Sequence, residues 1–226
     1  MSLFDQIKGF IFDLDGVITD TAKFHTQAWH QIADQVGTPW SQDLADRLRG
    51  IDRMQSLDII LKEGGKQDCY TDVQKEELAT KKNDNYKELI ATLTPADILP
   101  GIQEFLTDLQ EHDYKMSIAS ASHNAPAVLK SLGLSDFSTH IVNPDDLHAG
   151  KPEPEIFLKG AEILDLEPRQ CVGIEDAAAG IEAIDAAGEL SIGIGAATAS
   201  AGATMHFPDT ASLTLANISD KLKKVA

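Results

Sequence analysis

Cysteine is nearly absent from this sequence: Cys69 and Cys171 are the only two in 226 residues, far apart and in unrelated contexts. Neither a disulfide framework nor a cysteine zinc site follows, and a reducing cytosol fits. Basic residues are scarce as well, 19 Lys+Arg against 36 Asp+Glu, for a formal net charge of -17. So acidic a surface repels polyanions, which argues against nucleic acid or anionic membrane as the main partner. A phosphate-bearing substrate would have to meet a few locally placed cations. No apolar run approaches membrane-spanning length, and the start MSLFDQIKGF lacks the basic and apolar regions of a signal peptide. A soluble cytoplasmic protein is the expectation. Hydrophobic residues make up 42%, enough for one large domain or a domain with an insert.

The most informative stretch is Phe10-Ile11-Phe12-Asp13-Leu14-Asp15-Gly16-Val17. Its apolar start reads as a strand buried on both faces. Strand side chains alternate, so Asp13 and Asp15 are expected to leave the sheet on one side, beyond the carboxyl end where open parallel sheets bind ligands. One carboxylate can attack phosphorus, a second can move a proton, and a hard cation can lie beside both. An ordinary strand ending in an Asp-Gly turn is the competing reading.

Only helical signals follow until past residue 95. Phe24, Ala28, Ile32 and Val36 recur at helical spacing, as do Met54, Leu57, Ile60 and Leu61, and residues 73–93 form a longer charged helix. Gly37-Thr38-Pro39 and Gly64-Gly65 separate them. Thereafter the chain alternates. Helices are predicted over 102–111, 127–132, 155–164 and 177–187, and strands over 115–119, near 141–142, over 171–174 and over 191–194; residues 196–204 read as a loop. The fold class is therefore α/β, a doubly wound, Rossmann-like parallel sheet with an inserted all-helical domain. The core is expected at residues 1–19 and 96–226, the helical insert at 20–95.

Three more clusters fall where a strand meets a loop. Ser120-Ala121-Ser122-His123-Asn124 offers hydroxyls, an amide and a helix amino terminus, which suit a phosphate or merely cap the helix. Lys151 sits between Gly150 and Pro152; alone it reads as a solvated loop lysine. Glu175-Asp176 closes a buried strand, where adjacent carboxylates call for a cation or begin an acidic helix turn.

Taken in order, Asp-x-Asp, Ser, Lys-Pro and Glu-Asp at successive strand ends closely resemble the haloacid dehalogenase-like superfamily of phosphotransferases. The resemblance implies Asp13 as nucleophile, Asp15 as general acid/base, Ser120 and Lys151 as binders of the transferring phosphoryl group, and Mg2+ held by Asp13, Asp15, Glu175 and Asp176. It also implies a helical cap domain in the insert.

Residues 12–22, with His25 and Trp29, are similar to the sugar-phosphate mutases of that superfamily. So are Leu48 to Ile51 with Arg53 and Ser56, residues 82–86, and Ser120-Ala121-Ser122. This likeness implies that β-glucose 1-phosphate and glucose 6-phosphate are interconverted through phospho-Asp13 and a bound β-glucose 1,6-bisphosphate. Arg53 would grip the distal phosphate, aided by Ala121, Ser122, His123 and Asn124. His25, Trp29, Gly50, Ile51, Ser56 and Lys82 would face the sugar, and Thr21 would lie at the hinge of a monomeric enzyme. His123 departs from the pattern, which has Lys there; its contact would be weaker or depend on pH. Packing alone accounts for Trp29 as well. A sugar-phosphate phosphatase uses the same core residues, and a phospho-accepting receiver domain shares the sheet, the Asp, the Lys and the metal. A receiver has no need of the helical insert or of Asp15.

Overall fold

A computed structural model describes residues 3–48 and 53–225. The chain divides into two compact units, Met1–Asp20 with Leu93–Ala226, and Thr21–Thr92. In chain order β1 (Gly9–Phe12) precedes α1 (Ala22–Val36), α2 (Gln42–Arg47), α3 (Arg53–Glu63) and α4 (Asp72–Ile90). Then come α5 (Ile102–Glu111), β2 (Lys115–Ile118), α6 (Ala125–Ser131), α7 (Glu155–Ile163) and β3 (Cys171–Glu175). The chain finishes with α8 (Ala178–Ala187), β4 (Leu190–Ile194), β5 (Met205–Phe207) and α9 (Leu215–Val225). Among the described residues no helix is long and apolar enough to cross a membrane.

The first unit is built on one parallel sheet in the order β2-β1-β3-β4-β5. β1 is an interior strand, with Phe12 registered against Ile118 of β2 and Ile174 of β3. Covered on both faces, it buries all four residues, which is why its sequence reads as a continuous apolar run. Phe10 and Phe12 meet the edge of Phe105 on α5, at ring separations of 5.6 and 6.1 Å. Burying each such ring is worth about 1.5–3 kcal/mol. Ile11 points the other way, into a cluster with Phe157, Ala161, Ile181 and Ile184 of α7 and α8. There Gly160 lets α7 lie close to the sheet, since a Cβ would run into Ile11. The sequence order reverses on either side of β1, opening the crevice typical of doubly wound sheets at the carboxyl ends of β1, β2 and β3.

The second unit is all helical, around Trp29, Ile32, Val36, Leu44, Leu57, Ile60, Leu61 and Leu78. Its helices end on local devices. Gly37 closes α1 in the left-handed conformation at φ 68°, and Thr71 with Gln74 forms a capping box at the start of α4.

The structure departs from the sequence reading in several places. The strand expected near Ile141 and Val142 is only an isolated bridge, with Ile118 donating to the His140 carbonyl (2.8 Å) and accepting from Val142 (3.0 Å). Pro144 follows at once and has no N–H with which to extend a ladder. Helices α2 and α9 and strand β5 were not anticipated. α9 carried a readable signal in the buried Leu215, Ile218 and Leu222, whose spacing is helical. β5, at three residues, is too short to show a period.

One buried group lies outside the crevice. Glu189, only 6% exposed, has two carboxylate oxygens with no hydrogen-bond partner, and burial pushes its pKa up to about 9. The folded chain therefore holds a proton there that the unfolded chain loses near the ordinary glutamate value of 4.5. Stability should fall as pH rises between those values, by at most about 1.4 kcal/mol per pH unit. Glu189→Gln keeps the shape and removes the titration. Thermal melts should show the variant a few degrees above the parent at pH 8, a gap on the order of 1–3 kcal/mol that narrows toward pH 5. A gap independent of pH would mean that Glu189 titrates normally.

Candidate active site

Asp13 directly follows β1 and donates its N–H to the Ile174 carbonyl at 2.9 Å. By strand alternation it falls on the side of Ile11, the face covered by α7. The loop leading into α7 carries Lys151, whose ammonium donates to Asp13 Oδ1 at 2.5 Å and to Glu175 Oε1 at 2.7 Å. Glu175 ends β3, and its other oxygen accepts from the Ala177 amide at 2.7 Å. Asp176 follows. Asp13, Glu175 and Asp176 each offer an oxygen, all within 4.8 Å of one another. Two glycines make room: a Cβ at Gly16 (φ 75°) would overlap the Asp176 carboxylate, and one at Gly180 the Glu175 carboxylate.

Asp15, the fourth carboxylate of the metal set expected from the sequence, lies just beyond Asp13 in the chain. β1 itself ends at Phe12, and Asp15 makes an isolated parallel bridge with Thr19. Here the chain folds into a tight loop, in which Thr19 donates to the Leu14 carbonyl (3.2 Å) and Gly16 to the Thr19 carbonyl (2.8 Å). Asp15 is still near enough for its charge to act on Asp13 and Asp176.

Burial pushes the Asp13 carboxyl up, with Glu175 and Asp15 adding to the rise against the pull of Lys151. Burial also raises Asp176, to about 7, helped by Glu175 and Asp15. For the Lys151 ammonium burial acts downward, but Asp13 and Glu175 outweigh it and hold it above the usual lysine range. One ammonium bonded to two of these three carboxyls cannot balance the charge they would carry when all are ionised. Hard oxygen donors this close suit a divalent cation, which would relieve that repulsion.

The Ser120–Asn124 segment follows β2 on the same sheet edge. Ser120 is nearly buried, and its hydroxyl accepts from the Ser122 amide at 3.3 Å; the Ser122 hydroxyl accepts from the Asn124 amide at 3.2 Å. The turn is therefore ordered by its own serines, with Asn124 at the start of α6. Ala121 and His123 are exposed. His123 lies 3.8 Å from Asp145, a carboxylate the sequence reading did not single out.

In the helical unit Gly50 and Ile51 lie outside the described residues. Arg53 is exposed on the first turn of α3, while Ser56, one turn on, is fully buried. Thr21 is fully buried at the start of α1, where the two units divide. Lys82 is only 4% exposed, so it is not a solvated helix charge. Its ammonium lies 2.8 Å from His25 Nδ1 and 5.0 Å from the ring centres of both Trp29 and Tyr86. Burial, then the Lys82 charge, lowers the His25 pKa to about 3. His25 is therefore neutral, accepts at Nδ1 and keeps Nε2–H as a donor. Trp29, 4% exposed, forms an aromatic wall for this lysine. The pairing of residues 57 positions apart was not legible in sequence.

Comparison with known proteins agrees with this geometry. The family model for haloacid dehalogenase-like hydrolase matches residues 7–188. The chain is 46% identical to a β-phosphoglucomutase of Bacillus subtilis over 92% of both chains. It is 29% identical to a phosphorylated carbohydrates phosphatase of Thermotoga maritima, over 80% of this chain and 82% of that one. The crystal structure of a β-phosphoglucomutase from Clostridium difficile superimposes with a TM-score of 0.87 at 42% identity, covering 96% of this chain and 98% of that one. The strand-end carboxylates, the bridging lysine and these likenesses together make the chain a member of the haloacid dehalogenase-like hydrolase family.

Proposed function

We propose that this chain interconverts β-glucose 1-phosphate and glucose 6-phosphate, through phospho-Asp13 and a bound β-glucose 1,6-bisphosphate. The observation that carries phosphoryl transfer is Lys151 bonded to Asp13 and Glu175 at 2.5 and 2.7 Å, with Asp176 in the same cluster. Support for the mutase outcome comes from the 46% identity to the Bacillus subtilis enzyme over 92% of both chains. Phosphorylated sugars are confined by their charge, so the reading has a single chain acting in the cytoplasm.

Phospho-Asp13 presents its phosphorus to the 6-hydroxyl of the sugar. Asp15 accepts the hydroxyl proton as the new P–O bond forms and the bond to Asp13 breaks. After the bisphosphate turns round, Asp13 attacks the 1-phosphate and Asp15 returns a proton to the departing oxygen. Lys151 and Ser120 meet the oxygens of the moving group, where positioning and charge supply most of the rate. Asp13, Asp15, Glu175 and Asp176 would hold Mg2+, which would supply charge neutralisation for the phosphoryl group when bound. Ser122, His123 and Asn124 on the core unit, and Arg53 with Ser56, His25 and Lys82 on the helical unit, are assigned to recognition of the sugar phosphate. Arg53 supplies a planar fork suited to phosphate oxygens. Hydrolysis of phospho-Asp13 is the alternative outcome, and the 29% identity to a carbohydrate phosphatase favours keeping it as second reading.

Supplying β-glucose 1-phosphate with a trace of glucose 1,6-bisphosphate and Mg2+ should yield glucose 6-phosphate in a dehydrogenase-coupled assay; stoichiometric inorganic phosphate instead would select the phosphatase. Asp13→Asn should lose at least about 10³-fold in kcat, and turnover surviving in that variant would remove Asp13 as nucleophile. Chelation with EDTA should abolish turnover and added Mg2+ restore it. Lys82→Met should raise the His25 pKa above about 3 while burial keeps it below the ordinary 6.5, a shift readable from the imidazole NMR resonances.

A further inference from the structure

Lys151 must keep its place while its partner changes. In the resting chain the Asp13 carboxylate helps hold the ammonium, at 2.5 Å. Once Asp13 becomes an acyl phosphate it no longer offers that free carboxylate, and the Glu175 contact at 2.7 Å and the backbone have to do more of the positioning. The backbone before Lys151 is poorly supported by secondary structure: residues 147–150 form neither helix nor strand. Gly150, directly preceding the lysine, adds a freely rotating joint with open space around it.

Leu147 packs on the core and donates to the Pro144 carbonyl at 3.2 Å, and the two residues after it are tied down by one carboxylate. Glu155, the first residue of α7, accepts from the His148 amide at 2.7 Å and the Ala149 amide at 2.9 Å through one oxygen, Oε2. Its other oxygen, Oε1, meets His148 Nδ1 at 2.8 Å. These contacts, the imidazole first and the two amides next, hold the Glu155 pKa down at about 2. Glu155 is therefore a carboxylate across the working range. On the far side of Lys151, Glu153 donates to the Gly150 carbonyl at 3.0 Å, and Pro152 and Pro154 fix two further backbone angles. The lysine is thus gripped between a rigid turn and one side-chain latch.

We propose that Glu155 is a positioning residue that latches the 147–150 loop to α7 and so holds Lys151 in register with the phosphoryl group on Asp13. Its activity readout rests on the phosphoryl-transfer reading above; its structural readout does not. The latch acts on where the lysine stands during transfer and not on how the sugar is bound. Loss of the latch should therefore lower kcat and leave KM nearly alone.

The donors make the variants selective. Glu155→Ala removes every acceptor. Glu155→Gln keeps one amide oxygen for both backbone N–H groups, and its NH2 can donate to His148 Nδ1 in the other tautomer. Glu155→Ser, too short to reach the two amides, repeats the loss with a residue that suits a helix start. His148→Ala removes only the imidazole contact. Full-length parent and variants are compared by steady-state kinetics with β-glucose 1-phosphate, and by amide hydrogen exchange of residues 147–151 without substrate.

Glu155→Ala and Glu155→Ser should lose about 10- to 100-fold in kcat with KM within about threefold of the parent. Their His148 and Ala149 amides should exchange at least about tenfold faster. Glu155→Gln and His148→Ala should stay within about threefold of the parent in both readouts. The latch is overturned if the Ala or Ser variant keeps parental kcat or exchange, if Gln falls as far as Ala, or if the loss appears in KM alone. Should the parent release inorganic phosphate and form no glucose 6-phosphate, the mutase reading fails, and the same kcat split is then read on phosphate release. The latch thus stands or falls separately.

Discussion

Everything at the carboxyl edge of the sheet turns on one ammonium shared by two buried carboxylates. Lys151 spans Asp13 at the end of β1 and Glu175 at the end of β3, neighbours in the sheet but 162 residues apart in sequence. A charge this deep is tolerable only when paired and hydrogen-bonded. The pairing explains why the two strands end where they do and why Gly180 must yield space to Glu175. It also sets the sign of the site. One positive group among Asp13, Glu175 and Asp176 leaves a surplus of negative charge, which a divalent cation and a phosphoryl group can share.

The same imbalance bears on the acidity of the whole molecule. With a net charge of -17 the surface does little to attract a phosphorylated sugar over distance. The buried lysines are instead placed individually. Lys151 is held by carboxylates; Lys82 is held by a neutral imidazole and two aromatic faces. The second arrangement sets no carboxylate against the lysine, because a neutral His25 accepts its hydrogen bond. Each cation is positioned by what surrounds it rather than by a general field.

Glu155 and Glu189 illustrate two fates of a carboxylate outside the metal cluster. Glu155 collects three N–H donors beside the lysine loop and is held ionised. Glu189, with no partner for either oxygen, is pushed the other way by burial. Residue type is the same; hydrogen-bond supply decides the state. In sequence both look like ordinary glutamates at the end of a loop.

Much of the fold was legible because periodicity is a local property. The apolar run through Phe12, the helical spacing of Phe24 to Val36 and the alternation of strands and helices after residue 101 each follow from neighbours in the chain. Short elements without a full period, such as β5, were not, and the bridge at Ile141 was over-read because Pro144 acts beyond it. The identity of Asp13, Lys151, Glu175 and Asp176 as a group was readable from their order at strand ends. What only the tertiary structure decided is how charges meet: that Lys151 bonds Asp13 and Glu175 together, that Lys82 is buried against His25, and that Glu155 reaches back to His148 and Ala149. Those outcomes depend on distances across the fold and on burial, and neither is encoded in the spacing of residues along a chain.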